Sequence, residues 1–466
     1  MSIFIYNSLS RKKEEFIPLN PTKVNLYSCG VTVYDDCHIG HARSLYIFEV
    51  IRRYLKYRGF KVRFVRNITD IDDKIINRAN ELKTDWKELV KKYINRYYED
   101  ITALNIPKAD SEPRATENID DMIKHIQMLI DRNYAYVTET GVYFSVRKFK
   151  DYGKLSGQSI EQMLSGVRKE ADETKADPLD FALWKKSKPD EPSWPSPWGD
   201  GRPGWHIECS VMSTKYLKTD TLDIHAGGRD LIFPHHENEI AQSEALTGKT
   251  FAKYWLHHGL LTINGQKMSK SLGNFVTIKD FIAKYKDADL LKLFFLSAHY
   301  SSPIDFSEKK MEEAKQALER IAILLGKIND RCPSIPEPQR PGKKIKEIKE
   351  IKNRFIAAMD DDFNTPQALA AVFELVNTAN KNIDETRFIS EGRDVLLELA
   401  ALFGLDISTN TGYKDLPAGV TVLIDKRNEA KKRRDFKEAD KIRKDLEEQG
   451  YILEDTRDGT TCRRKI

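Results

Sequence analysis

The chain has 466 residues, 40% of them hydrophobic and 32% charged, enough for a large core and two to four domains. Its net charge of +5 is small for that length, so overall charge does not mark a nucleic-acid binder and local clusters must carry that argument. No apolar run approaches the ~20 residues of a membrane span, the N-terminal MSIFIYNSLSRKKEEF is too briefly apolar for a secretory signal, and five cysteines without a CxxC argue against a disulfide framework and predict a reducing, cytoplasmic setting.

In chain order, VNLYSCGVTVY (24–34) reads as a strand and its exit, rich in β-branched and aromatic residues. After CHIGH, residues 42–58 place Leu45, Phe48, Ile51 and Leu55 on one helical face, with Gly59 as a stop. KVRFVRN (61–67) is a second strand, which completes the strand–helix–strand unit of a parallel α/β sheet. Helical patterns run from about 75 to 133, and VYFSV (142–146) is a strand. The Pro-, Gly- and Trp-rich 188–205 cannot be one regular element. LLTINGQKMS (260–269) carries an Asn-Gly hairpin signal, and Thr277 with Asp280 predicts a capped helix start. From 306 to about 405 long helical patterns predict a bundle, with 333–346 as a loop inside it. Residues 406–419 read as a linker, followed by one basic helix over KRNEAKKRRDFKEADKIRKDLEEQG and a turn-rich extended tail.

Three motifs carry chemistry. His38-Ile39-Gly40-His41 sits at a strand-to-helix junction, where free N–H groups suit a phosphate and Gly40 leaves room for a flat ring; two surface histidines near a turn are the plain alternative. Lys267-Met268-Ser269-Lys270-Ser271 follows the hairpin, and its two lysines could clamp a triphosphate or form an ordinary basic loop. FPHHENE (233–239) opens a predicted helix with Pro234 in its first turn, so that His235 and Glu239 leave one face as metal ligands or as an exposed polar stripe. Cys29, Cys209, His235 and Glu239 together would offer sulfur, nitrogen and oxygen donors suited to zinc, and Cys209 near a helix start would favour thiolate.

HIGH and KMSKS in this order resemble the signature pair of class I aminoacyl-tRNA synthetases. The strings SCGVTVYDDCHIGHAR, NITDIDDKI, GRPGWHIECSVMS, DIHAGGRDLIFPHHENEIAQSEA and WLHHGLLTINGQKMSKSLGNF resemble the cysteinyl-tRNA synthetase family across most of the first 300 residues. The resemblance implies a Rossmann-type catalytic domain over 1–305. Within it lie a HIGH half (20–100), an insertion (about 101–204) and a zinc and KMSKS half (205–305). A helical bundle (306–405) and a linker with a basic anticodon-binding module (406–466) follow.

The implied activity is ATP-dependent formation of cysteinyl-adenylate and transfer to the terminal adenosine of tRNA(Cys). One Zn²⁺ would be held by Cys29, Cys209, His235 and Glu239, and Mg²⁺ mainly by ATP. His38, His41, Lys267 and Lys270 are the implied catalytic residues; Gly40, Gly227, Gly228 and Asp230 join them around ATP. Thr69, Trp205, His206 and His225 are implied to line the amino-acid pocket, with His236 and Glu237 supporting it. Arg427, Lys431, Lys432, Arg433 and Arg434 would meet tRNA phosphates. A monomer without membrane association is expected. The chain departs from the family pattern at Ala226, at KIIN (74–77) and at Cys462, where many relatives carry Trp. A small-molecule cysteine ligase, a zinc hydrolase and a non-catalytic RNA-binding module are the rival readings; the first lacks a use for the basic tail and the second lacks an HExxH.

Overall fold

The computed structural model describes residues 2–166, 174–269, 272–331, 343–407, 418–456 and 459–464. The chain forms two compact units. The first comprises Met1–Ala288, Ala298–Ser307 and Ala358–Thr365; the second comprises Asp289–Ser297, Glu308–Ala357 and Pro366–Ile466.

The first unit is built on a parallel sheet in the order Ala252–His258, Leu222–Gly228, Lys23–Thr32, Lys61–Thr69. The central strand Leu222–Gly228 is buried throughout and most of Lys23–Thr32 is too, as expected where helices cover both faces. Helix Ile39–Tyr57 links Lys23–Thr32 to its neighbour on one side, while Glu237–Thr247 links Leu222–Gly228 to its neighbour on the other. The connections therefore diverge between the two central strands, the position at which open α/β sheets bind ligands. There Tyr27 lies opposite His225 and Ser28 opposite Ala226.

The predicted strand–helix–strand start is present as Lys23–Thr32, Ile39–Tyr57 and Lys61–Thr69. The helical patterns from 75 to 133 are three helices, Asp73–Leu82, Trp86–Ala103 and Ile119–Asp131. The longest break between them runs past Pro107 and Pro113, neither of which could continue a helical hydrogen-bond ladder. The insertion folds as an antiparallel sheet of Ala135–Val137, Gly141–Phe144, Phe181–Lys186 and Gly201–Pro203. The last of these strands lies inside the segment read as irregular. Trp198 of that segment packs edge to face on Trp184 of strand Phe181–Lys186, which helps to order it.

The Asn-Gly hairpin pairs Leu261–Ile263 with Gln266–Lys267, and Asn264 and Gly265 both take positive φ. Thr277 Oγ1 accepts from Asp280 N at 3.0 Å and caps Ile278–Tyr285 as predicted.

In the second unit, helices Glu308–Arg331, Thr365–Lys381 and Thr386–Leu402, together with Lys343–Asp360, bury Leu318, Leu325, Ile351, Phe355, Leu375 and Leu396. The expected loop at 333–346 and linker at 406–419 lie largely outside the described residues. The last segment is two helices, Ala418–Lys432 and Phe436–Glu448, rather than one. Arg434 takes φ +62°, and Asp435 caps the second helix through Glu438 N at 3.1 Å. A hairpin of Tyr451–Thr456 and Gly459–Arg464 follows, and Ile424, Ile442, Leu446, Leu453 and Cys462 share its core.

Candidate active site and metal centre

The strand Lys23–Thr32 shifts register against Lys61–Thr69 between Ser28 and Val31, which places Cys29 and Gly30 on a bulge. Gly30 N donates to Asn67 Oδ1 at 2.8 Å, and a Cβ on Gly30 would lie 1.6 Å from the Asn67 carbonyl oxygen. Only glycine lets the bulge close against the neighbouring strand. The bulge turns the Cys29 thiol toward helix Trp205–Leu217, where its Sγ lies 3.8 Å from Cys209 Sγ and 3.7 Å from Glu239 Oε1.

His235 Nε2 is 2.9 Å from Glu239 Oε1, and His225 Nε2 is 2.7 Å from Glu239 Oε2. The four expected metal donors, from Cys29, Cys209, His235 and Glu239, are all buried and lie within 4.8 Å of one another. Two sulfurs, one imidazole nitrogen and one carboxylate oxygen at that spacing form a donor set that fits zinc. The route to this geometry differs from the expected single helix face. Ile232–His236 form a wider turn, and the regular helix begins only at Glu237. His235 therefore reaches Glu239 from the turn, not from within the helix.

A second overlapping set, Cys29, His225, His236 and Glu239, meets the same distance limit. His236 Nε2 is 3.3 Å from Cys29 Sγ, while its Nδ1 is 2.8 Å from His257 Nε2, and His257 Nδ1 is 2.8 Å from Ser8 Oγ. Gly227 serves this arrangement, because a Cβ there would lie 2.6 Å from the His236 ring. The side of Gly227 on which a Cβ would stand is thus taken by His236. Glu237 faces away, accepting from Ser156 N at 2.8 Å, which makes it a brace for the insertion.

Electrostatics separate the donors. Burial would raise the Cys209 thiol, but its bonds to Cys29 and His235 outweigh burial and bring it to about 6. The predicted helix-terminus effect is not the cause, since Cys209 is already in the second turn. Burial raises Cys29. Burial also opposes charge on His235, but Glu239 holds that imidazole near 10. Glu239 itself is held near 2 against burial, by His225 and His235. Trp205 stacks on His235 with centroids 4.2 Å apart, and His206 Nδ1 is 3.0 Å from His235 Nδ1. Thr69 Oγ1 donates to Glu208 Oε2 at 2.8 Å. Burial, then the Cys209 sulfur, push the Glu208 carboxyl well above its ordinary range.

At the other end of the same strand tips, His38 caps helix Ile39–Tyr57. Its Nδ1 accepts from Gly40 N at 3.0 Å and His41 N at 3.3 Å, while His41 Nδ1 accepts from His38 N at 3.3 Å. The rings stack with centroids 3.8 Å apart. With both Nδ1 atoms accepting, each proton sits on Nε2. Burial lowers His38 to about 4 and pushes His41 well below its usual range. These histidines are therefore neutral, each with an Nε2–H to donate. A Cβ on Gly40 would strike the His38 ring at 2.8 Å and reach within 3.5 Å of Met268 Cε, so the two motifs converge here.

The convergence is enforced by backbone. Ile39 N donates to Val276 O at 3.1 Å, and Ile278 N donates to Cys37 O at 2.9 Å. Asn274 braces the loop, accepting from Ser269 N at 2.8 Å and donating to Lys267 O at 3.2 Å. Lys267 is exposed. Lys270 and Ser271 lie outside the described residues. Asp230 is exposed, and a Cβ on Gly228 would meet its Oδ1 at 2.4 Å. Arg43 holds the hairpin side: its guanidinium donates to Gly259 O at 2.8 Å, Leu260 O at 3.0 Å, Tyr300 O at 3.2 Å and Ser302 O at 2.6 Å.

The expected tRNA contacts divide. Arg427 is 3% exposed and donates to both Asp455 oxygens at 2.9 and 2.8 Å, so its guanidinium is committed inside the module. Lys431 also reaches Asp455, at 3.0 Å. Arg433, Arg434 and Lys432 are exposed or nearly so. Beside them Phe436 is 61% exposed, a residue the sequence reading passed over although an aromatic between basic residues was visible. Gly30, Asn67, Arg43 and Glu208 were also passed over. Nothing local marks them, because their roles arise from partners far along the chain.

Comparison with known proteins adds an independent line. A model described as the tRNA synthetases class I (C) catalytic domain matches residues 15–316. A DALR domain matches 354–408, and a cysteinyl-tRNA ligase anticodon binding domain matches 414–463. A cysteine--tRNA ligase of Thermodesulfovibrio yellowstonii is 50% identical, with 99% of each chain covered. Those of Aquifex aeolicus and Anoxybacillus flavithermus are each 50% identical, with 100% of this chain covered and 99% and 100% of theirs. Among solved structures, Mycobacterium tuberculosis methionyl-tRNA synthetase in complex with methionyl-adenylate shares the fold, with a TM-score of 0.65 at 15% identity over 84% of this chain and 92% of that one. Half the residues shared along the full length, on a class I fold with a match to the class I (C) catalytic domain, place the chain in the cysteine--tRNA ligase family of class I aminoacyl-tRNA synthetases.

Proposed function

We propose that the chain activates cysteine with ATP and transfers the cysteinyl group to the terminal adenosine of tRNA(Cys). The observation that carries this reading is the buried sulfur–sulfur–nitrogen–oxygen donor set, in which Cys29 comes from the central strand Lys23–Thr32 that leads on to HIGH. In the first step a carboxylate oxygen of cysteine attacks the α-phosphorus of ATP and pyrophosphate leaves. The carboxylate is already ionised at pH 7, so no general base is needed. A ribose hydroxyl of the tRNA terminus then attacks the acyl carbon and AMP leaves.

Placement and charge are what the protein must supply. His38 and His41 donate from Nε2 to phosphoryl oxygens, Gly40 lets the nucleotide approach the helix start, and Lys267 with Lys270 offsets the developing charge. Asp230 accepts from the ribose. Mg²⁺ arrives with ATP, held mainly by phosphate and water. Cys29, Cys209, His235 and Glu239 would hold one zinc ion, which when bound supplies a Lewis acid that keeps the substrate sulfur as thiolate at neutral pH. Serine, whose hydroxyl is far less acidic, is rejected there, and a contact of that kind discriminates by about 10⁴–10⁵ where an apolar pocket reaches only ~100. Trp205 walls the pocket, and His206 and His225 orient His235 and Glu239.

Lys432, Arg433 and Arg434 attract tRNA phosphates, and exposed Phe436 offers a face on which an unpaired base can stack. Arg427 maintains the module rather than touching RNA. Cysteine-dependent exchange of pyrophosphate into ATP, with zinc quantified in the same sample, tests the reading: exchange with about one zinc per chain is expected, and exchange driven equally by serine would refute it. A ligase that joins cysteine to a small amine would share this core, and a tRNA-charging assay separates the two.

A further inference from the structure

Glu208 is a buried carboxyl for which the metal, nucleotide and RNA roles above have no use. It stands on helix Trp205–Leu217, three residues after Trp205 and so its neighbour on the helix surface, and immediately before Cys209. It is 1% exposed. Its Oε2 accepts from Thr69 Oγ1 at 2.8 Å, whereas Oε1 is buried and no described residue donates to it. No lysine or arginine among the described residues forms an ion pair with it, although the neighbouring carboxylates are provided for: Asp70 accepts from Thr116 N and Oγ1, and Asp72 caps Lys74 N.

A hydrogen-bonded chain leads from Glu208 to the metal centre. Thr69 Oγ1 accepts from Asn67 Nδ2 at 3.1 Å, and Asn67 Oδ1 accepts from Gly30 N at 2.8 Å, beside Cys29. The Thr69 hydroxyl is thereby oriented with its proton on Glu208, which leaves a lone pair for a further donor. A buried carboxyl without a cation is unfavourable, and Oε1 is left without a donor among the described residues, one that a cationic group could supply.

We propose that Glu208 is the positioning residue for the α-ammonium group of the amino-acid substrate, holding Thr69 Oγ1 as its acceptor and supplying the opposing carboxyl. This rests on the cysteine-activating reading. Two consecutive residues of helix Trp205–Leu217 would then serve the substrate, Cys209 on the sulfur side and Glu208 on the ammonium side.

The test uses the zinc-loaded full chain and calorimetric titration with L-cysteine and with 3-mercaptopropionate, which is cysteine without its amino group. Wild type is expected to prefer cysteine by roughly 10- to 100-fold, and Glu208→Gln to remove most of that preference while changing 3-mercaptopropionate affinity and zinc content by less than about 3-fold. Equal weakening of both thiols, or an unchanged preference, would overturn the proposal. So would a wild type that binds the two thiols alike, a result that needs no variant to fold. Binding of neither thiol by zinc-loaded wild type would refute the cysteine-activating reading itself.

Discussion

Single atoms decide whether this site exists. Cys209→Ser replaces a soft sulfur donor by a hydroxyl; we expect zinc content and cysteine-dependent exchange to fall together, measured by metal analysis and exchange on the same sample. Normal exchange from a zinc-free variant would refute the selector role. Gly30→Ala drives a methyl into the Asn67 carbonyl at 1.6 Å. The strands cannot yield without losing the bulge, so a stability loss of about 2–3 kcal/mol or more is expected in urea unfolding, with weakened zinc binding. Cys462 shows the opposite outcome. It is 4% exposed and pairs with Leu453 in the core of the terminal module, so its sulfur is committed to that core.

Between elements, a few polar groups hold the two halves of the catalytic unit in register. Arg43 donates to four carbonyls, from Gly259, Leu260, Tyr300 and Ser302. Arg43→Met keeps much of the volume but orphans them, and a loss of about 3–5 kcal/mol is expected, read from chemical denaturation, with exchange activity falling as the hairpin before KMSKS loosens. Asp100 on Trp86–Ala103 is buried beside the loop that precedes HIGH. Burial, then Asp36 and Glu99, raise it to about 7, while a bond from the Cys37 backbone partly opposes them. The unfolded chain loses that proton near pH 4, so between about pH 4 and 7 the folded state holds the extra proton and stability falls as pH rises. Asp100→Asn should therefore stabilise the protein at pH 8 relative to pH 4, by about 1–2 kcal/mol after solvent screening, when paired melts of variant and wild type are compared.

For the molecule as a whole, the terminal module has its own small core and its own paired cation, Arg427 with Asp455. Removal of residues 418–466 is expected to weaken tRNA binding by an order of magnitude or more in a filter-binding titration, while cysteine-dependent exchange stays near wild type. Phe436→Ala should reproduce part of that loss, about 1–3 kcal/mol for one lost stack, with little change in the salt dependence. Arg433→Ala should lower the salt slope instead. No helix among the described residues is long and apolar enough to cross a membrane.

The order of motifs, the parallel α/β start, the hairpin and the four residues that meet in the buried Cys29–Cys209–His235–Glu239 cluster were legible in the sequence because each rests on local spacing or on a long string resembling one family. What the sequence could not carry was everything set by residues hundreds of positions apart. The bulge at Gly30, the Arg43 clamp, the turn that delivers His235, the filling of Gly227 by His236 and the burial of Arg427 became visible only when strands and helices were brought together. Local pattern reports which surface an element buries. Which carbonyl meets a guanidinium, or which carboxyl is left without a cation, is decided by tertiary packing, and the energy of buried polar groups depends on those partners.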